Sequence, residues 1–263
     1  MKYAFMTRED EHSRLLKSKL EKKLNIAGHI FDLQKPDILI FIGGDGTFLR
    51  SIQTYLHHLS SIVFVGIHTG TLGFFCEFTP NELDDLVKAI PTMNKSSEKY
   101  ALIELTLHGK KKQSFYAVNE VRVENPFQTF VTDVQVDHQH VQTFRGTGLI
   151  VASTLGSSAY NKSLGGALVD VTMPTLQLTE MATIQNNAYR SLGSSLVLDQ
   201  KRIISFQGDF KKAIFGYDYL LVNPEEQIEK VTVQLSEKTF RLFHQQQHPY
   251  FDTLKKTFVK NTN

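Results

Sequence analysis

The sequence predicts an α/β plus β chain: an N-terminal doubly wound α/β domain followed by a C-terminal antiparallel, β-rich domain of β-sandwich-like character. Three observations carry this expectation. Apolar runs at residues 3–6, 37–42 and 62–65 lack alternation, as strands covered on both faces of a parallel sheet do. Segments with helical spacing lie between them. Beyond residue 100 paired β-like runs flank short polar turns instead, which means hairpins and antiparallel sheet.

The elements follow in order. Residues 3–6 form a short strand, and Leu15, Leu16, Leu20 and Leu24 place a helix over 9–24. Residues 37–42 form the second strand, cut by Gly43, Gly44, Asp45 and Gly46 and followed by a helix over 47–59. The third strand at 62–65 leads into a turn-rich stretch from Gly66 to Gly70. Thr79, Pro80 and Glu82 supply an N-cap, a first-turn proline and a third-position glutamate for a helix reaching Ile90. The polar connector 91–99 marks a domain boundary, giving domains 1–98 and 99–245 with the tail 246–263 packing back on the first. Hairpins 102–107/114–118 and 131–136/141–144 follow, then strands at 148–152, 203–206, 230–235 and 239–243, and weak helical periodicity over 250–259.

Composition excludes several function classes. The 263 residues carry 29 basic and 27 acidic side chains, and a formal charge of +2 is too balanced for a nucleic-acid or membrane surface. The run Lys110, Lys111 and Lys112 reads as a solvated turn. A lone cysteine, Cys76, excludes an internal disulfide framework and a cysteine-based zinc site; within the apolar run 72–76 it reads as a small buried hydrophobe. The apolar start turns charged at Arg8, too short for a signal peptide, and no segment approaches the roughly 20 apolar residues of a membrane span. The expectation is a soluble, cytoplasmic protein.

Three segments carry candidate chemistry. Gly43–Gly44–Asp45–Gly46–Thr47 is a glycine-rich turn between a buried strand and a helix, where backbone amides and the helix N-terminus favour phosphate. A carboxylate there does not bind phosphate, so Asp45 either accepts a proton or hydrogen bond from a hydroxyl, helps hold a magnesium ion, or caps the helix. Asn119 and Glu120 together can read a ribose diol or an adenine edge, or form a plain edge pair. The small-residue run 153–166 offers exposed amides and hydroxyls. A GxxxxGK[ST] motif is absent, and Gly146 and Gly148 lack the third glycine of a dinucleotide fingerprint, Val151 taking its place. His57, His58, His138 and His140 read as exposed histidines, with no HExxH arrangement.

In order and spacing these segments resemble the NAD kinase family: Gly43 to Thr47; Gly66, Ile67, Gly70, Leu72, Gly73 and Phe74; Asn119 and Glu120; and Gly156 to Tyr160 with the small residues to Ala167. The resemblance implies Mg-dependent phosphoryl transfer from ATP or polyphosphate to the adenosine ribose 2′-hydroxyl of NAD, with the divalent cation accompanying the donor, no tightly bound protein-ligated metal, and assembly into homo-oligomers, dimers or tetramers. It implies that Asp45 activates the accepting hydroxyl, that Gly44 and Gly46 face the donor phosphates, and that Asn119 and Glu120 bond the ribose or adenine. The resemblance also implies that Ser158, Ala159 and Tyr160 line the adenosine pocket with Phe74 packed near the same end, and that Arg145 and Tyr189 make contacts across a subunit boundary. Two departures from the family pattern stand out: Thr147 replaces an aspartate on the nicotinamide side, and Leu155 replaces a hydroxyl residue. They motivate an alternative, a catalytically altered dinucleotide-binding paralogue; the shared first motif motivates another, a diacylglycerol-type lipid kinase.

Overall fold

The structure, a computed structural model, describes residues 1–70, 73–224, 226–245 and 250–259. Motif positions Thr71 and Leu72, and tail residues 246–249 and 260–263, lie outside the described residues. The chain opens with β1 (Lys2–Thr7), α1 (Glu11–Ile26), β2 (Ile30–Phe31), β3 (Ile38–Gly43), α2 (Asp45–Thr54), β4 (Val63–His68), α3 (Leu83–Ala89) and α4 (Met93–Ser96). It continues through β5 (Ser97–His108), β6 (Lys112–Ala117), β7 (Glu120–Glu124), β8 (Phe130–Val136), β9 (Gln139–Gly146), β10 (Gly148–Ser153) and α5 (Tyr160–Ser163). The last elements are β11 (Thr175–Met181), β12 (Leu196–Asp199), β13 (Ile204–Gly208), β14 (Ile214–Tyr217), β15 (Leu220–Val222), β16 (Lys230–Phe243) and α6 (Tyr250–Phe258).

The chain divides into two compact units, one comprising Met1–Tyr100 with the chain from Lys238 onward, the other Ala101–Glu237. The first unit holds a parallel sheet in the order β2, β1, β3, β4, and Arg241 and Leu242 of β16 pair parallel to Val63 and Phe64 of β4. Alternate residues of the buried strands face opposite layers. Ile38, Ile40 and Ile42 pack with Leu16, Leu20 and Leu24 of α1 and Leu83 and Leu86 of α3. Phe41 meets Phe48 of α2 with ring centroids 5.2 Å apart, and Phe48 meets Phe240 at 5.5 Å. Helices on both faces are what made these strands read as continuous apolar runs.

Local chemistry moved several boundaries. Asp10 caps α1, its Oδ1 accepting from Ser13 N at 2.9 Å, so the helix starts at Glu11, two residues later than expected from the sequence, and Leu15 faces solvent. Glu82 does reach back, accepting from Thr79 N at 2.7 Å, yet the regular helix begins only at Leu83. Gly66 to His68, read as a turn, continue β4, because Gly66 lets the chain pass against the Phe41 ring: a Cβ there would lie 2.3 Å from it.

The strand pairs that follow in the second unit are antiparallel. The N-terminal part of β16 pairs with β13, which pairs with β8, which pairs with β9, while β5 pairs with β6. The other sheet runs β12, β11, β10, β7, β14, β15. Val134, Phe144, Phe206 and Val233 from the first sheet share one core with Val121, Val151, Leu178 and Phe215 from the second, which is a sandwich interior. Asp137 and His138 at the β8–β9 turn have φ of 49° and 70°, as a two-residue hairpin turn demands. β11, β12, β14 and β15 have no counterpart in the sequence reading, and the two runs expected at 230–235 and 239–243 are one 14-residue strand. Among the described residues no helix is long and apolar enough to cross a membrane.

Candidate functional site

The glycine turn after β3 hands the chain to α2 with Gly44 as N-cap, and no side chain caps that helix. Asp45, its first residue, turns its carboxylate to the loop at 73–75 instead. Oδ2 accepts from Phe74 N at 3.2 Å and Oδ1 from Phe75 N at 3.3 Å. Gly73 makes this approach possible, since a Cβ there would sit 2.3 Å from Asp45 Oδ1. Desolvation raises the pKa of Asp45 and the two N–H groups oppose it. The result is a positioned carboxylate with more proton affinity than an exposed one, the property of a general base. The first and second glycine motifs are therefore one structural feature. A Cβ at Gly44 or Gly46 would meet nothing within 4 Å, whereas Gly43 is required because a Cβ there would lie 2.3 Å from Thr47 Oγ1. The Phe74 ring lies 5.8 Å from that of Phe258 in α6. Burial first, then the charge of Asp45, push the Cys76 thiol well up, away from the thiolate that a nucleophile needs.

In the second unit Asn119 and Glu120 stand at the entry to β7. Glu120 is buried, and burial, then the charge of Asp218, push its pKa up to about 8 against the pull of Arg122. Its Oε2 and the Oδ1 of Asn119 are buried polar atoms without a hydrogen-bond partner among the described residues. Unpaired buried acceptors are rare in folded proteins, and two on adjacent residues suit a polar ligand that supplies donors to both. The run 153–158 closes on the same corner. Ser153 N donates to Asn119 O at 2.8 Å, Ser153 Oγ donates to Val118 O at 2.6 Å, and Gly156 N donates to Ser153 Oγ at 3.1 Å. Gly156 lies so close that a Cβ would be 1.9 Å from Asn119 O.

Ser158 and Ala159 are half-buried at the end of this turn, and Tyr160 is exposed with the Arg122 guanidinium 5.6 Å from its ring centroid. Thr147 lies half-buried between β9 and β10, its N donating to Met181 O and its O accepting from Asn125 N. Leu155 opens the short 3-10 turn that ends at Ser158. Arg145 stacks 4.5 Å over Tyr189 of the same chain, and both line a cavity of about 410 Å³ with Gln142 and Arg190. Asp45, Gly44, Gly46 and Phe74 thus belong to one unit, and Asn119, Glu120, Arg145, Thr147, Ser158, Ala159, Tyr160 and Tyr189 to the other.

Sequence reasoning missed Asp218, Arg122 and Asn161. Asp218 is buried at the β14–β15 turn and bonds the backbone of the 118–120 corner about a hundred residues away. Asn161 is fully buried, its Oδ1 accepting from Thr179 Oγ1 while its Nδ2 is unpaired among the described residues. Nothing local flagged Asp218, since a polar residue in a turn carries no sign of its distant partner; Asn161 fell inside the run 153–166 but had no role of its own there. Among the described residues no group of three or more His, Cys, Asp or Glu side chains could hold a metal ion.

Comparison with known proteins matches residues 6–94 to the ATP-NAD kinase N-terminal domain and residues 118–244 to the ATP-NAD kinase C-terminal domain. The chain is 35% identical over 268 residues to NAD kinase 1 of Listeria monocytogenes, covering 99% of this chain and 100% of that protein. It is 40% identical over 201 residues to NAD kinase 1 of Bacillus anthracis, covering 75% and 76%. Its fold is that of yeast NADH kinase complexed with NADH, at TM-score 0.86 and 15% identity over 100% of this chain and 89% of that one. An NAD kinase from Archaeoglobus fulgidus in complex with ATP superposes with TM-score 0.79 at 23% identity, over 97% and 99%.

Proposed function

The chain belongs to the ATP-NAD kinase family, and we propose that it phosphorylates the adenosine ribose 2′-hydroxyl of NAD to give NADP, with ATP or polyphosphate as donor. The observation that carries the reading is the carboxylate of Asp45, drawn off its own helix and aimed by Phe74 N and Phe75 N. Asp45 accepts the proton of the attacking hydroxyl, its basicity raised by burial. The amides of Gly44 and Gly46, at the start of α2, face the donor phosphates. Phosphoryl transfer needs mainly positioning and neutralised charge. Magnesium, or another divalent cation, enters bound to the donor as part of that substrate, and no protein metal cage is invoked.

On the dinucleotide, Asn119 and Glu120 bond the ribose or adenine through Asn119 Oδ1 and Glu120 Oε2, which have no hydrogen-bond partner among the described residues. Burial, then the charge of Asp218, push Glu120 up to about 8, so it holds a proton far more readily than an exposed glutamate and in that form can donate as well as accept. Ser158, Ala159 and Tyr160 line the adenosine pocket, and Thr147 lies on the nicotinamide side. Arg145 and Tyr189 act across a subunit boundary in a homo-oligomer, a dimer or tetramer working in the cytoplasm. The match over both halves of the chain does not favour the lipid kinase or the altered paralogue.

The test is incubation of the purified protein with NAD, Mg-ATP or magnesium polyphosphate, and a diacylglycerol, with NADP and phosphatidic acid both assayed. NADP with at least one donor is expected. Its absence with both donors overturns the reading, and phosphatidic acid would assign the chain to lipid phosphorylation.

A further inference from the structure

Asp218 is a non-glycine residue with φ of 48°, and its buried carboxylate belongs to neither assigned cluster. Its Oδ2 accepts from Val118 N at 2.9 Å, its Oδ1 accepts from Asn119 N at 2.8 Å, and its own N donates to Glu120 O at 2.9 Å. One residue thus grips three consecutive residues of the corner that presents Asn119 and Glu120. On the other side, Ser153 N and Ser153 Oγ hold the carbonyls of Asn119 and Val118, so these grips on the corner all fall on backbone. The side-chain acceptors Asn119 Oδ1 and Glu120 Oε2 are left over, buried and unpaired among the described residues.

A carboxylate is an expensive way to close a two-residue turn inside a sandwich. Buried charge is tolerated only where hydrogen bonds compensate it, and burial pushes Asp218 up to about 6 even with its backbone donors. Glycine would meet the φ of 48° without strain or charge. What glycine lacks is a pair of acceptor oxygens that reach both Val118 N and Asn119 N.

We propose that Asp218 is the positioning residue of the dinucleotide site, acting through Asn119 and Glu120 by fixing the backbone that aims their unpaired acceptor atoms. The proposal rests on the assignment of NAD to that pair. It makes Asp218 a determinant of NAD affinity and leaves phosphoryl transfer from bound NAD to Asp45.

The test uses the full-length protein with Asp218→Asn and Asp218→Gly. Asparagine keeps the size and one acceptor oxygen, while glycine keeps the turn and removes both oxygens. NAD affinity is read by calorimetry, kcat and the KM for NAD and donor by NADP formation, and folding by thermal midpoint. Asp218→Gly is expected to weaken NAD binding roughly tenfold or more, the scale of one lost hydrogen-bonding arrangement, with Asp218→Asn between it and the wild type. The KM for NAD should rise in step, while the donor KM and kcat at saturating NAD stay within about twofold. In the background of Asn119→Ala the effect of Asp218→Asn should shrink, since residues acting through one another are not additive. A folded Asp218→Gly protein with wild-type NAD affinity, or effects that add fully with Asn119→Ala, overturns the proposal. If Asp218→Gly does not fold, Asp218→Asn carries the same comparison. A wild-type protein that forms no NADP sinks the functional reading itself, an outcome separate from unchanged affinity in an active variant.

Discussion

Replacing Asp45 with asparagine separates the two things its carboxylate does. Structurally it accepts from Phe74 N at 3.2 Å and Phe75 N at 3.3 Å. An amide retains one acceptor oxygen, so Asp45→Asn gives up one of these bonds, about 0.5 to 1.5 kcal/mol. Removing a charge that burial disfavours offsets part of that loss. The net cost is about 1 kcal/mol or less, a shift of about 2 to 4 °C in thermal midpoint for a chain of this size. Chemically the substitution removes the proton acceptor, and turnover should fall by about 10² to 10⁴, or about 2.7 to 5.5 kcal/mol of barrier. The assay is NADP formation at saturating NAD and donor, with NAD affinity measured by calorimetry and expected to stay within about threefold. Because desolvation raises the pKa of Asp45, the acid limb of the wild-type pH–kcat profile should lie above the ordinary aspartate range, activity rising as the group loses its proton. Turnover in Asp45→Asn within about threefold of wild type would refute the base assignment. So would unchanged kcat with NAD affinity lost, which would make Asp45 a binding residue.

Other perturbations read the same architecture. Gly73→Ala places a Cβ 2.3 Å from Asp45 Oδ1 and should lower kcat by about tenfold or more by displacing the base, with the donor and NAD KM little changed in the same assay. Gly156→Ala meets backbone, Asn119 O at 1.9 Å, and should weaken NAD binding and lower the thermal midpoint together; a variant with both unchanged would contradict the packing of that corner. Glu120, at about 8 in the folded chain against 4.5 unfolded, holds a proton the unfolded chain releases, so its contribution to stability is full below about pH 4.5 and lost as pH rises towards 8. Urea unfolding of Glu120→Gln should show a flatter decline between pH 5 and pH 8 than the wild type; parallel curves would place the proton elsewhere.

The sequence by itself determined the architecture and the first carboxylate. Unalternating runs at β1, β3 and β4 announced strands covered on both faces, and hairpin signals announced an antiparallel second half, because burial writes its period directly into residue order. Asp45 stood out for a similar reason: a charge inside a glycine turn is a local contradiction that can be seen without any partner. Short strands such as β14 and β15 escaped, being three or four residues long with too little pattern to count. Only the tertiary structure decided what each carboxylate touches. It drew Asp45 from its own helix to the amides of Phe74 and Phe75, joining motifs about thirty residues apart. It also set Asp218 under Asn119 and Glu120, a pairing about a hundred residues long in sequence and under 3 Å in space. Hydrogen-bond partners over such separations follow from sheet register and strand order, and no local property of a residue encodes them.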